Sequence, residues 1–144
     1  ALSSAASDVY KRQAGYYKYK AGDQFTEGGK PVNGKRDICD IYAIMYETSE
    51  SVPTLDGTNA FTSPNLISTA RINNAKETNE WTYFKLPFTT LPGKFIDKEK
   101  LTMGKYNISI VFTSSLEGDH FNGAIGSTLL IDEAELIYRS NLDH

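Results

Sequence analysis

Asp132 is the residue whose neighbours most constrain its chemistry. In the run Thr128-Leu129-Leu130-Ile131-Asp132-Glu133-Ala134-Glu135-Leu136-Ile137-Tyr138, two-residue alternation places Asp132 on one face with Leu130, Ala134, Leu136 and Tyr138. A carboxylate among apolar neighbours is costly unless it is paired, hydrogen-bonded or metal-bound. A calcium ion would answer that need, since hard cations take carboxylate and backbone oxygens. Backbone amides of a neighbouring loop would answer it equally. A register slip at a bulge would instead turn Glu133 and Glu135 inward and remove the requirement.

The aromatic residues carry a second signal. Phe84, Leu86 and Phe88 form one stripe, and Trp81, Tyr83 and Lys85 fall on the opposite face. Exposed flat rings can stack on sugar faces while adjacent polar groups bond hydroxyls. Trp81 and Tyr83 are thus the candidate carbohydrate-binding rings, with Asp40 and Lys85 as hydroxyl partners. Tyr16, Tyr17, Tyr19, Tyr42 and Tyr46 add rings on neighbouring strands. The alternative is that these rings pack between two sheets or under a loop.

Signals for catalysis are thin. Glu117-Gly118-Asp119 resembles the start of the carboxylate cluster of jelly-roll glucanases, but the third position holds Asn122. Asp37 and Asp40 face opposite sides of one strand. A glycoside hydrolase needs two carboxylates about 5–5.5 Å or about 6.5–9.5 Å apart, with Glu117, Asp119, Asp40 and Glu80 as the candidates. His120 reads as a loop histidine and Cys39 as a core residue. The sequon Asn107-Ile108-Ser109 falls within a strand and reads as chance.

Composition narrows the field. The chain has 144 residues, 15 Lys+Arg against 18 Asp+Glu, and a net charge of -3, without the basic excess that phosphate backbones demand. One cysteine and two histidines exclude a disulfide framework and Cys-rich zinc sites. No apolar run reaches the roughly 18–20 residues of a membrane-spanning helix.

The elements that must position these residues have period two from Gly15 onward. Strands are expected over 15–20, 37–48, 81–88, 106–113 and 127–138, with 66–72 ambiguous. Both faces of 37–48 are apolar, which marks a central strand. Segments 27–35 and 51–64 read as loops with a tight turn at Asp56-Gly57, and 97–101 as one helical turn. Gly123 and Gly126 suggest a bulge or close backbone approach. The expected fold is an all-β, jelly-roll-like β-sandwich over residues 14–139. Residues 1–13 read as a non-native or disordered segment, because Ser7 to Gln13 resembles translated sequencing-adapter read-through, and 140–144 as a tail.

Four blocks in order carry a family resemblance: Gly15-Tyr16-Tyr17-Lys18-Tyr19-Lys20-Ala21-Gly22-Asp23; Asp37-Ile38-Cys39-Asp40-Ile41-Tyr42-Ala43; Glu80-Trp81-Thr82-Tyr83-Phe84 with Pro87-Phe88; and Ser114 through Glu133. Together they resemble the putative carbohydrate metabolism domain of surface lipoproteins from Gram-negative gut anaerobes. The resemblance implies a jelly-roll sandwich similar to carbohydrate-binding modules, following other modules of an exported protein at the cell surface or outer membrane. Family members are longer, so the sandwich is expected to be truncated at its N-terminal side, with edge strands left unpaired. The last block is also similar to the final strand of calcium-containing carbohydrate-binding sandwiches, where an aspartate at the place of Asp132 ligates the ion. The expected function is a non-catalytic glycan-binding module of a polysaccharide-utilisation lipoprotein. The alternatives are a structural or adhesion sandwich without a small ligand, and a glycoside hydrolase.

Overall fold

The computed structural model describes residues 10–138. The strands are β1 (Tyr10–Lys20), β2 (Phe25–Glu27), β3 (Lys30–Pro31), β4 (Asp40–Glu47), β5 (Leu66–Arg71), β6 (Thr78–Pro87), β7 (Thr89–Thr90), β8 (Tyr106–Thr113), β9 (Asn122–Ala124) and β10 (Thr128–Tyr138). A short α-helix, α1 (Lys98–Thr102), is capped by Asp97, whose side chain accepts from the Lys100 amide, satisfying a donor that the first helical turn leaves open; Gly118–His120 form a single 3-10 turn. The fold is all-β.

Two sheets form the sandwich. One has the order β10-β1-β6 and the other β7-β5-β4-β8, and a small third sheet, β3-β2-β9, stands beside them. The pairings are antiparallel. Between the two larger sheets lie Tyr17, Tyr19, Cys39, Ile41, Ala43, Ala70, Phe84 and Leu86. Burial of these apolar side chains supplies the main driving force, at roughly 25 cal/mol per Å² removed from water.

β4 is central and buried on both faces, as its two apolar stripes require. Ile41 and Ala43 face the other sheet. Tyr42, Ile44 and Tyr46 face outward, where the segment 48–65 folds over them and inserts Leu55 and Ala60. That segment is pinned by hydrogen-bond contact of the Tyr46 hydroxyl with Thr54 Oγ1 at 3.2 Å and Ser109 Oγ at 3.3 Å.

The edge strand β8 is less covered. Ile110 pairs with Ala43 and Phe112 with Ile41, so both lie on the core side of their sheet. They are nevertheless 43% and 37% exposed. Among the described residues, β8 and β10 each end their sheet.

The structure corrects three sequence expectations. Residues 10–13 belong to β1 rather than to a disordered leader: Arg12 pairs with Pro87 and Ile137, and Gln13 with Leu86 and Leu136. Residues 1–9 and the tail 140–144 lie outside the described residues. The stretch 27–35, read as loop, begins with a β2–β3 hairpin in which Glu27 pairs with Lys30. Gly28 and Gly29 make its turn at φ of +56° and +84°, the conformation that a two-residue hairpin turn demands and glycine tolerates.

The third correction concerns β10. Ala14 pairs with Glu135 and Tyr16 with Asp132, so Gly15 alone opposes both Glu133 and Ala134. This is a β-bulge, with Glu133 in the left-handed region at φ +51°. A bulge reverses the alternation. Leu129 and Ile131 point to the core before it and Leu136 after it. Asp132 therefore lies on the outer face, exposed, and its Oδ1 accepts from the Glu133 amide at 2.9 Å. The premise of an Asp132 carboxylate held among apolar side chains fails, and with it the burial argument for calcium there. Among the described residues, no three His, Cys, Asp or Glu side chains are grouped to hold a metal ion.

Two carboxylates are buried instead, Asp37 at 4% and Asp40 at 3% exposure, and Asp37 is the one met by hydroxyls and amides. Its Oδ2 accepts from Ser115 Oγ at 2.5 Å, Ser127 Oγ at 2.6 Å and the Ala124 amide at 2.9 Å. Its Oδ1 accepts from the Ile38 amide at 3.0 Å. One side chain thus ties together the approaches to β4, β9 and β10. Gly123 makes room for it: a Cβ there would meet Ser115 Oγ at 2.7 Å and Asp37 Oδ2 at 3.1 Å, the close approach that glycine at this position suggests.

Two stability predictions arise from the core. Tyr19 donates its hydroxyl to the Ser114 carbonyl at 2.8 Å, and burial pushes its phenol up to about 12 from an ordinary 10.0. Between those values the unfolded phenol loses its proton while the folded one keeps it. The Tyr19 contribution is thus complete below pH 10 and lost as pH rises toward 12. Tyr19→Phe should flatten that alkaline loss in urea melts at stepped pH; an unchanged slope would refute the assignment.

Gln13 is 1% exposed, and its carboxamide nitrogen and oxygen have no hydrogen-bond partner among the described residues. A buried amide without partners costs about 1–3 kcal/mol. Gln13→Leu should therefore stabilise the chain by about 1–2 kcal/mol in thermal melts. A loss of stability would show that ordered water satisfies the amide.

Candidate functional site

The outer face of β4 carries the most chemically loaded cavity. Asp40 begins β4, followed two residues on by Tyr42, so alternation sets both on the face turned away from the sandwich interior. Arg71 ends β5, paired directly with Tyr42. Phe61 comes from the segment 48–65 that covers this face. The turn from Glu117 to His120, which follows β8, closes the other side. These groups line a cleft of about 510 Å³, within the size range of small-ligand sites.

Asp40 and Arg71 form a two-point ion pair. Arg71 Nη2 donates to Asp40 Oδ2 at 2.7 Å and Nε to Oδ1 at 3.2 Å. The Asp40 side chain is 4% exposed and the Arg71 side chain 41%, so the acid is sealed while the arginine reaches solvent. Arg71 Cζ sits over the Phe61 ring at 4.1 Å from its centroid and over the Tyr42 ring at 5.7 Å from its own. Those two rings meet edge to face at 4.8 Å. Such stacking and two-point pairing is what a planar guanidinium does and an ammonium cannot. It locks Arg71 while leaving its remaining N–H donors for a ligand.

The rest of the cleft offers mainly acceptors. Glu117 and Asp119 bring carboxylates, and Thr113 and Ser115 hydroxyls. His120 Nε2 lies 3.6 Å from Asp119 Oδ2. The Tyr42 phenol is pushed up by burial, with Asp40 adding to it, and stays a proton donor at neutral pH. A rigid donor fork, flat rings and a surplus of acceptors suit a polyhydroxylated ligand.

The structure divides the sequence-predicted set. Trp81, Tyr83 and Lys85 all lie exposed on the outer face of β6, with Trp81 at 44% and Tyr83 at 52%. Lys18 Nζ stands 5.0 Å over the indole. Asp40 is on the opposite side of the sandwich, buried against Arg71, and is no hydroxyl partner for those rings. Of the hydrolase candidates, Asp40, Glu117 and Asp119 meet in the cleft, whereas Glu80 sits on β6. Arg71 and Phe61 escaped the sequence reading. The one available signal was Asp40 itself, an acid on the apolar stripe Tyr42-Ile44-Tyr46 that required a cation.

The fold is an antiparallel β-sandwich with an ionic and aromatic cleft on one sheet, and its relatives point to a carbohydrate-related role. The chain belongs to the family described as putative carbohydrate metabolism domain, which matches residues 9–137. Two solved structures are similar. A putative glycoside hydrolase from Bacteroides thetaiotaomicron is 85% identical, with TM-score 0.90 over 92% of this chain and 39% of its own. A putative glycoside hydrolase from Bacteroides vulgatus is 45% identical, with TM-score 0.84 over 92% of this chain and 53% of its own. The chain therefore spans about two-fifths and about half of those two proteins. No curated protein matches it. Among the described residues, no helix is long and apolar enough to cross a membrane.

Proposed function

We propose that the chain is a glycan-binding module in which the Asp40–Arg71–Phe61 cleft takes a sugar unit, without cleaving it. The observation that carries this is the locked guanidinium: Asp40 fixes Arg71 from below, Phe61 fixes it from the side, and its free donors face a cavity rich in acceptors. Preorganised polar groups of this kind lose little entropy on binding. The module belongs to a polysaccharide-utilisation protein that works outside the cell, at the outer-membrane surface, alongside other modules; the carbohydrate-related family supports the polysaccharide role, and the partial coverage of the solved relatives supports companion modules. Trp81, Tyr83 and Lys85 supply a further exposed surface for glycan contact.

Asp40 is ill placed for catalysis because both its oxygens are taken by Arg71. A hydrolase reading keeps a specific support, since Glu117 and Asp119 share the cleft with it and the solved relatives are described as putative glycoside hydrolases. A glycan array decides between them. Retention of glycans by the 144-residue chain, with no reducing ends released on long incubation, supports binding alone. Released reducing ends that vanish in Glu117→Gln or Asp119→Asn would replace it with hydrolysis, and no retention of any glycan would overturn both.

A further inference from the structure

The bulge on β10 builds a second feature, on the face of the sandwich opposite the cleft. Gly15 opposes the bulge, and a Cβ there would point to the core and strike the Phe84 ring at 2.8 Å and the Ala134 Cα at 3.2 Å, so glycine lets Phe84 pack directly beneath the strand. On the outer side a shallow depression of about 460 Å³ is lined by Gly15, Tyr16, Tyr83, Glu133, Ala134 and Glu135. One wall is aromatic: the rings of Tyr16 and Tyr83 lie 5.3 Å apart at 59°, and they are 36% and 52% exposed. The other wall is acidic, formed by Glu133 and Glu135.

We propose that this depression is a second saccharide site, for a neutral or amino-bearing sugar unit and not an acidic one. The proposal rests on the glycan-binding reading for its ligand class and on the depression itself for the rest. An exposed phenol pair offers a face for the apolar C–H side of a pyranose. The facing carboxylates accept hydroxyl or ammonium donors from the same ring in charge-assisted bonds. No cation is among the lining residues, so the two carboxylates repel a uronate or sulfated sugar in the depression itself; Lys18 and Lys85 lie on the same outer face, outside its lining. Trp81 continues the aromatic surface along β6 two residues from Tyr83, on the same side, which lets a chain rather than a single ring run across the sheet. Because the cleft opens on the other sheet, the module would hold glycan on two sides, and a polysaccharide would gain avidity from both.

Amide chemical-shift titrations of the 144-residue chain read the two faces separately. The probes are neutral gluco-, xylo- and manno-oligosaccharides, a glucosamine oligosaccharide and an oligogalacturonate. Saturable shifts at Tyr16, Tyr83 and Glu135 with a neutral or amino sugar are expected. Tyr16→Ala/Tyr83→Ala should weaken them roughly tenfold or more, and Glu135→Gln should weaken them while keeping the fold. Shifts confined to Tyr42, Arg71 and Asp119 would overturn this second site and leave the cleft standing. Shifts at the depression alone would uphold it and remove the cleft from the function. The absence of shifts at either face would remove both. Equal response to the oligogalacturonate would overturn the ligand class. Sugar-independent shifts that grow with protein concentration would mark the surface as a contact between copies and overturn the proposal.

Discussion

Asp37→Ala should be the most damaging single substitution in the chain, lowering stability by about 3–5 kcal/mol. The carboxylate gathers two hydroxyls and the Ala124 amide from segments far apart in sequence, Ser115 lying 78 positions away and Ser127 lying 90, and the amide of its neighbour Ile38. Truncation leaves the buried Ala124 amide without an acceptor and frees the start of β10 from the approach to β4. Hydrogen bonds to a charged acceptor contribute about 1.5–3 kcal/mol each, but they are coupled here and do not simply add. A drop in Tm on the order of 10 °C or more is expected, with early loss of hydrogen-exchange protection at Ala124. Asp37→Asn keeps the shape and one acceptor oxygen and should lose less. A change below about 1 kcal/mol for the alanine variant would show that this junction does not hold the sheets together.

Arg71→Ala should have the largest effect on binding. It removes the donor fork from the cleft and strands a carboxylate that is 4% exposed. Leaving a buried charge unpaired is costly, but Arg71 is 41% exposed, so solvent screening lowers the figure to about 1–3 kcal/mol. Sugar affinity should fall at least roughly tenfold, the loss of one strong polar contact. Arg71→Lys keeps the charge but loses the two-point pairing and the stacking on Phe61, so it should restore stability better than affinity. Titrations well below Tm separate the effects: a purely structural Arg71 would cost stability and leave affinity intact.

Much of the architecture is legible in the sequence where a rule depends on near neighbours alone. The alternation in 106–113 delimits β8, Asp97 signals the start of α1, and the double apolar pattern of 37–48 marks β4 as central. Even the cover over its outer face is implied, since Tyr42, Ile44 and Tyr46 could not remain wet. The exposure of Trp81 and Tyr83 also follows from period two. Alternation fails at β10 because a single extra residue flips every side chain beyond it. Counting by twos from Tyr138 puts Asp132 inside; the bulge at Glu133-Ala134 puts it outside. The weak hint was that Leu129 and Ile131 fit one phase and Leu136 the other, with no single phase burying all three.

The cleft was harder to read because its parts meet only through the fold. Asp40 and Arg71 are 31 positions apart, Phe61 comes from a turn-rich segment without periodicity, and Glu117 and Asp119 from a turn after β8. Each residue type is ordinary by itself. Alternation puts the buried acid at Asp132, whereas the structure buries Asp37 and Asp40, both of which precede or open the most apolar strand. An acid next to such a strand has to find donors or a cation wherever the chain returns, and here it finds Ser115, Ser127 and Arg71.

The central claim is that the locked guanidinium of Arg71 recognises sugar, and calorimetric titration of the chain with a glycan retained on the array tests it most directly. A saturable heat in the native chain that is lost in Arg71→Ala and reduced in Phe61→Ala, with both variants still folded at the temperature used, is the expected result. Equal affinity in all three proteins would contradict it.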